Sequence, residues 1–401
     1  MTITALRIGL IALLMIALSP VARAGEWEFA GQVLGEMRVF PEAPQFPGQL
    51  ETFQPSVAIE PEFLWQSDDG KHQTAFIPFA RIDGQDDERT HADIREAYWR
   101  YIADDWELLV GFNREFFGVT ESRHLVNIVN QIDQVEDLDG EEFLGEPMVN
   151  LAIQRDFGRF SFFVMPGVRE RTFPGTAGRL RTPLPVDRDA AMFESDLGRA
   201  AVDVLGHYSH YIGDWDVGLY YFYGTGREPR LVPNMAGTAL IPFYDQIHQA
   251  GLDLQYTDGA WLWKFEGIAR AGQGDPFGAI VGGFEYTLYQ LFEGNADLGL
   301  LAEFLYDGRD PATAPPTPFD NDLFLGTRLA LNDFDDSSLL AGAIIDLLDG
   351  STSFRIEAER RLGDAWKLEL ESQIVVSAAA GNPLTIFKQD SFVQLRLSWF
   401  Y

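Results

Sequence analysis

Two histidines flank a serine once in this 401-residue chain, at His207-Tyr208-Ser209-His210. An imidazole and a hydroxyl two residues apart have the chemistry of a base and a nucleophile, provided a third group orients the imidazole. His72, His91, His124 and His248 are scattered, with no i, i+4 pair, and there is no cysteine, so no metal site is expected. Asp68-Asp69-Gly70 and Asp335-Asp336 read as turns rather than cation sites. No phosphate loop or dinucleotide fingerprint follows a strand, and no cofactor is expected.

The other residues with chemical potential are charged and clustered. From Arg114 to Pro147 an irregular stretch carries Glu121 and Arg123, then Glu136, Asp137, Asp139, Glu141 and Glu142. Within it His124, Leu125, Ile128 and Val129 have the spacing of one face of a short helix. The next long connection is basic: Arg169, Arg171, Arg179, Arg181, Arg188 and Arg199. An acidic loop facing a basic one across an opening sets up a transverse field that orients polar solutes in transit. Glu121, Arg123, Glu136 and Asp137, facing Arg169, Arg171, Arg179 and Arg181, are the expected constriction.

The elements holding these loops are strands. Trp27, Phe29, Val33 and Val39 share one parity, against Glu26, Glu28, Gln32, Glu36 and Arg38 on the other; Val57, Ile59, Phe63 and Trp65 repeat the pattern. About eighteen such segments of roughly 9 to 15 residues follow, with sixteen as the alternative count, each long enough to cross a bilayer at a tilt. Short turns near residues 69, 104, 157, 213, 258, 294, 332 and 363 alternate with longer connections, including 114–147 and 171–198. An apolar face on loop 114–147 must be buried, and the interior of a wide barrel is available, so both loops are expected to fold inward. Four charged stretches fall on the inward parity, among them Arg355, Glu357, Glu359 and Arg361 beside Lys367, Glu369, Glu371 and Gln373, where opposite charges on neighbouring strands are expected to pair.

Tryptophan marks one rim. Trp106, Trp215, Trp261 and Trp366 follow a short turn, Trp65 and Trp99 precede one, and Trp27 and Trp399 lie near the chain ends. An indole has an apolar ring and a polar N–H, which suits a membrane interface. These eight form the expected periplasmic girdle.

Residues 1–24 combine Arg7, the apolar run Ile8 to Leu18 and Ala22-Arg23-Ala24 before Gly25, the pattern of a signal peptide cleaved after Ala24. Removing Arg7 and Arg23 with it takes the formal charge from −31 to −33. Such acidity excludes nucleic acid as a partner. It is compatible with an outer membrane, where divalent cations bridge acidic groups to lipopolysaccharide.

The last ten residues, Phe-Val-Gln-Leu-Arg-Leu-Ser-Trp-Phe-Tyr, place Val393, Leu395, Leu397, Trp399 and Tyr401 on one face. This resembles the terminal strand of Gram-negative outer-membrane β-barrels, which implies that these five residues are read by the barrel-assembly machinery. The stretch Arg95-Glu-Ala-Tyr-Trp-Arg, Trp106-Glu-Leu-Leu-Val-Gly-Phe and Phe117-Gly-Val resembles a hairpin of porin-like families. Eighteen strands would also resemble substrate-specific porins and polysaccharide-export channels. The His-x-Ser pair is similar to that of the outer-membrane phospholipase, whose His and Ser face lipid beside an Asn on the next strand. Here Val202, Val204, Tyr208 and Ile212 put His207 and Ser209 on the inward face, and residues 215–224 contain no Asn, so no enzyme is expected. The expectation is an all-β protein: a transmembrane antiparallel up-and-down barrel over 25–401, in outer-membrane lipid and lipopolysaccharide, passing small hydrophilic solutes. A plugged structural or surface-recognition barrel is the alternative.

Overall fold

A computed structural model describes residues 25–401, and the signal peptide assigned to 1–24 lies outside the described residues. Eighteen strands form one sheet in which each pairs antiparallel with the next in the chain. Gly25–Val39 also pairs with Phe392–Phe400, from Gln32 opposite Phe400 to Val39 opposite Val393, and this seam closes the sheet into an up-and-down barrel. The count is eighteen, not sixteen. Among the described residues no helix is long and apolar enough to cross a membrane.

The connections at one rim are mostly longer than those at the other, as the sequence indicates; they are 40–52, 84–90, 114–145, 167–201, 226–245, 272–276, 308–320, 347–351 and 378–391, though 272–276 and 347–351 are shorter than 289–296 and 331–337 at the short-turn rim. Gly213 and Gly259 sit in short turns at φ 63° and 60°, where a side chain would be strained. Three short strands missed in the sequence, Met192–Phe193, Arg230–Pro233 and Leu240–Tyr244, join two long loops into a small separate sheet. They are too short for alternation to reveal.

Alternation decides what each strand presents. Outside, Trp27, Phe29, Val57 and Ile59 are exposed, while Glu36 and Arg38 point inward and are buried. One irregularity matters for the interior. Ile77 pairs with Glu96 but Pro78 with Ile94, so Arg95 is the extra residue of a bulge. Proline has no N–H to give a ladder, and the bulge aims Arg95 at loop 114–145, where it reaches Asp133 at 2.7 Å and the Phe143 carbonyl at 2.9 Å.

The interior is not uniformly polar. Inward side chains of the strands from Trp106–Asn113 to Asn321–Ala330, including Leu109, Phe163, Phe222 and Ile268, pack in one cluster with Leu125, Val126, Ile128 and Val129 of loop 114–145. Each large apolar side chain so covered contributes about 1.5–3 kcal/mol relative to exposure. The helix expected around His124 to Val129 does not form. The segment is held in another shape instead: Val126 N donates to Glu266 Oε2 (3.2 Å), while Asn127 Oδ1 accepts from Phe117 N (2.8 Å) and Asn130 Oδ1 from Glu115 N (2.9 Å), tying it to the start of the loop. Bonds from side chains to backbone offer the chain an alternative to the helical ladder.

Candidate functional site

Loop 114–145 spans the interior between two walls of opposite charge. At its tip the barrel supplies carboxylates and the loop supplies amides. Glu266 Oε1 accepts from Val119 N (2.7 Å), Thr120 N (3.0 Å) and Thr120 Oγ1 (2.8 Å). Glu303 accepts from Glu121 N (2.8 Å), Ser122 N (2.8 Å) and Ser122 Oγ (2.6 Å). Both carboxylates are buried, and charge-assisted bonds of this kind are roughly twice as strong as neutral ones. Arg123 adds an ion pair to Asp307 at 3.0 Å, and Glu121 pairs with Arg328 and lies 3.7 Å from Lys264.

At the loop's other end the polarity reverses. Glu136 is held bidentate by Arg81, at 2.6 and 2.7 Å, and Asp137 lies 3.4 Å from Arg38. Asp133 takes Arg95 at 2.7 Å, His91 at 3.2 Å and the Thr172 hydroxyl at 2.7 Å. Buried Glu36 neutralises this basic wall, with Arg89 at 2.7 Å, Arg396 at 3.2 Å, Arg81 at 3.4 Å and Arg38 at 3.6 Å.

The expected constriction is therefore rearranged. The arginines of the second loop do not face Glu136 and Asp137 across an opening. Arg169 pairs with Asp93 at 2.7 Å, and Arg171 donates to the Arg227 carbonyl at 2.9 Å. Arg179 is buried against Asp390 at 2.7 Å, and Arg181 donates to the carbonyls of Thr176, Thr182, Pro183 and Pro47. A guanidinium has five fixed donors, and in this loop layer the unpaired backbone carbonyls are the nearest acceptors. Arg179 and Arg181 thus tie loops together, as sequence spacing alone does not distinguish.

What remains open is a cavity of about 860 Å³ beside the loop. Its lining runs from Leu384 and Phe387 in the last long connection to Ser338 and Glu359 next to the short turns. Glu121, Arg123, Asp137 and Arg171 line it; Glu136, Arg169, Arg179 and Arg181 do not. Strands Thr352–Arg361 and Trp366–Ser377 form its uncovered wall. Opposite charges on the two strands pair as expected, with Lys367 on Glu359 and Arg355 near Glu371, but not directly across: Glu357 stands opposite Glu371 and Glu359 opposite Glu369, like charge against like. The compensation is diagonal. Lys367 reaches Glu359 at 2.7 Å and Glu369 at 3.1 Å, and Arg355 reaches Glu357 at 2.6 Å and Asp139 of the loop at 2.7 Å.

Two groups beside the cavity are shifted in their titration. Burial works against the His124 imidazolium, but Glu141 and Glu266 beside it outweigh that and hold its pKa up at about 9. Burial likewise disfavours the Glu228 carboxylate, yet Arg309, Arg270, Arg123 and Arg171 surround it and bring it down to about 2. The sequence reading missed Glu228, as it did Glu266 and Glu303 in their role as loop anchors. Glu303 had a visible signal: it is the only charge in the middle of the apolar strand Asp297–Asp307, and a buried carboxylate requires partners.

His207 and Ser209 do point inward. His207 stacks on Phe117, ring centroids 4.4 Å apart, and makes no hydrogen bond to Ser209 or to an orienting carboxylate among the described residues. The tryptophans lie where the turns put them: Trp27 stands opposite Trp65 and Trp366 opposite Trp399, Trp215 packs on Tyr256 and Trp261 on Trp263, Trp99 donates to His72 at 3.3 Å, and the Trp106 ring meets Tyr101. On the last strand Val393, Leu395, Leu397 and Trp399 are all exposed on the outer face, and Tyr401 is exposed at the chain end.

No protein-family model matches the chain, and no curated protein sequence does. Solved structures do match in fold. OccK11 (OpdR) of Pseudomonas aeruginosa superposes with a TM-score of 0.53 at 12% identity, over 94% of this chain and 95% of that one. A BenF-like porin of Pseudomonas fluorescens gives 0.54 at 9% identity, over 94% and 98%. Wzi of Escherichia coli, an outer-membrane protein involved in group 1 capsule assembly and described as a carbohydrate-binding β-barrel, gives 0.54 at 10% identity, over 97% and 87%. At such identities the likeness is one of fold: a closed β-barrel, shared with a protein described as a BenF-like porin and with one described as a carbohydrate-binding outer-membrane barrel.

Proposed function

We propose that the protein is an outer-membrane channel through which small hydrophilic solutes diffuse passively. The observation that carries this reading is the 860 Å³ cavity along the uncovered, charge-bearing wall, whose lining extends from the long loops to the short turns. The apolar outer belt and the likeness to porins support residence in outer-membrane lipid, with lipopolysaccharide around the long loops. Carboxylates outnumber cations on the wall formed by 352–377, which favours cations over anions, less so at high salt. In planar bilayers the purified barrel should give conductance steps and a reversal potential of cation-selective sign under a salt gradient. Absence of steps would defeat the channel reading.

A second reading is a barrel without transport, used for structure or surface recognition. The loop clamped at both ends by buried ionic groups favours it. Liposome swelling in sugars of graded size separates the two, since only an open path admits the small ones. In either case the terminal row Val393, Leu395, Leu397, Trp399, Tyr401 is the proposed signal to the barrel-assembly machinery. Removing Phe400 and Tyr401 should impair insertion while leaving export intact.

A further inference from the structure

A second cavity, of about 180 Å³, lies on the short-turn side of loop 114–145 and belongs to neither the clamp nor the charged wall. Phe117 and Glu115 of the loop border it on one side, and Leu109 and Phe163 of the apolar cluster on another. Arg159, near the short turn 156–157, reaches across to Glu107 at 3.1 Å. The side chains of Arg100, Asn150, Ser161, His207 and Ser209 all border the cavity, and none makes a hydrogen bond or ion pair with another described residue. Arg100 has only the Tyr98 ring, 5.0 Å from its guanidinium carbon, and His207 only the face of Phe117. Elsewhere in this barrel interior arginines are matched closely, as Arg81, Arg95 and Arg123 are. Asn150 and Ser161 are buried and Arg100, His207 and Ser209 half-buried, and polar side chains that converge on one space without a partner in the protein are the arrangement of a polar binding pocket.

The chemistry of the lining selects the occupant. The formal charges cancel: Arg159 and Glu107 pair with each other, and Arg100 is balanced by Glu115, which also accepts from Asn113 at 2.8 Å. A ligand with net charge gains nothing from such a site. The unmatched groups are a guanidinium that only donates and an amide, an imidazole and two hydroxyls that both donate and accept. Several hydroxyls on one neutral molecule answer that set, because each can give and take a hydrogen bond. The volume equals about six waters at liquid density, the room of a single sugar ring. We propose that this cavity binds one neutral, multiply hydroxylated molecule of monosaccharide size. The site stands apart from the channel reading, because a barrel that does not conduct could bind at it equally well.

Titration calorimetry of the detergent-solubilised barrel with glucose, alanine and acetate tests this. Glucose should saturate one site, and alanine and acetate should not. Asn150→Leu, in a barrel whose folded electrophoretic mobility is retained, should weaken glucose binding at least tenfold; Ser209→Val serves the same purpose if Asn150→Leu fails to fold. No saturable uptake of glucose, tighter binding of alanine or acetate, or full glucose affinity in both folded variants would overturn the assignment, whatever the bilayer conductance.

Discussion

Two sectors of the same barrel wall solve the problem of an inward face in opposite ways. From Trp106 to Ala330 many inward residues are apolar and a loop covers them, so solvent is excluded and packing holds the loop. From Thr352 to Ser377 many inward residues are charged, the loop reaches them through Asp139 on Arg355 rather than through an apolar face, and like charges stand opposite each other in register. The difference teaches that apolar cover and an open path are complementary uses of one circumference: where the wall is greasy the loop lies down, and the space it leaves falls against the wall that prefers water. Like-charged neighbours cost little on that wall because solvent and diagonal Lys367 and Arg355 contacts screen them.

The contrast can be broken most severely at the anchors. Glu266→Ala would strip partners from the amides of Val119, Thr120 and Val126 at once, a loss of about 3–5 kcal/mol in loop docking. Protease cleavage within 114–145 and a larger single-channel conductance are the expected readouts; a loop still protected would show that the carboxylate is not its anchor. Next in size, Ile128→Ala removes a 2% exposed side chain from the apolar cluster and should cost about 2–4 kcal/mol, read as faster hydrogen exchange at the neighbouring amides.

A smaller effect is expected from pH. His124 titrates near 9 in the folded loop against an ordinary value of 6.5, so its contribution to docking is complete below pH 6.5 and is lost as pH rises through 9. Cleavage within 114–145 should accelerate roughly a hundredfold between pH 6.5 and 9.5, and His124→Gln should flatten that rise. The smallest change in stability belongs to the open wall. Glu357→Gln with Glu371→Gln should alter stability by less than about 1 kcal/mol, yet move the reversal potential toward weaker cation preference; a loss of folding instead would mean the wall is packed like the other sector.

Much of this was legible in the residues. Strand alternation, turn chemistry and the closing strand each depend on local pattern, and the eighteen-stranded closed sheet follows from them. The covered sector left a fainter trace: strands such as Gly158–Pro166, with Phe160, Phe162, Phe163 and Val164, are apolar on both parities, which a strand facing water inside would not be. The loop's shape was not legible, because His124 to Val129 has helical spacing while the Asn127 and Asn130 side chains tie the segment to the backbone of Asn113, Glu115 and Phe117. Nor were the partners of Arg179 or the Pro47 carbonyl that Arg181 reaches, acceptors that exist only once distant loops meet.

The seam between Gly25–Val39 and Phe392–Phe400 has a kinetic meaning. Every other ladder of the barrel joins strands consecutive in the chain, so hairpins can zip up locally and in any order. The seam alone must bring together segments separated by nearly the whole polypeptide, and its ordering entropy is repaid only when both ends are already formed. Until that moment the nascent sheet has two open edges, each a template for pairing with another chain. The step most exposed to misassembly is thus the single closure that turns a sheet into a wall.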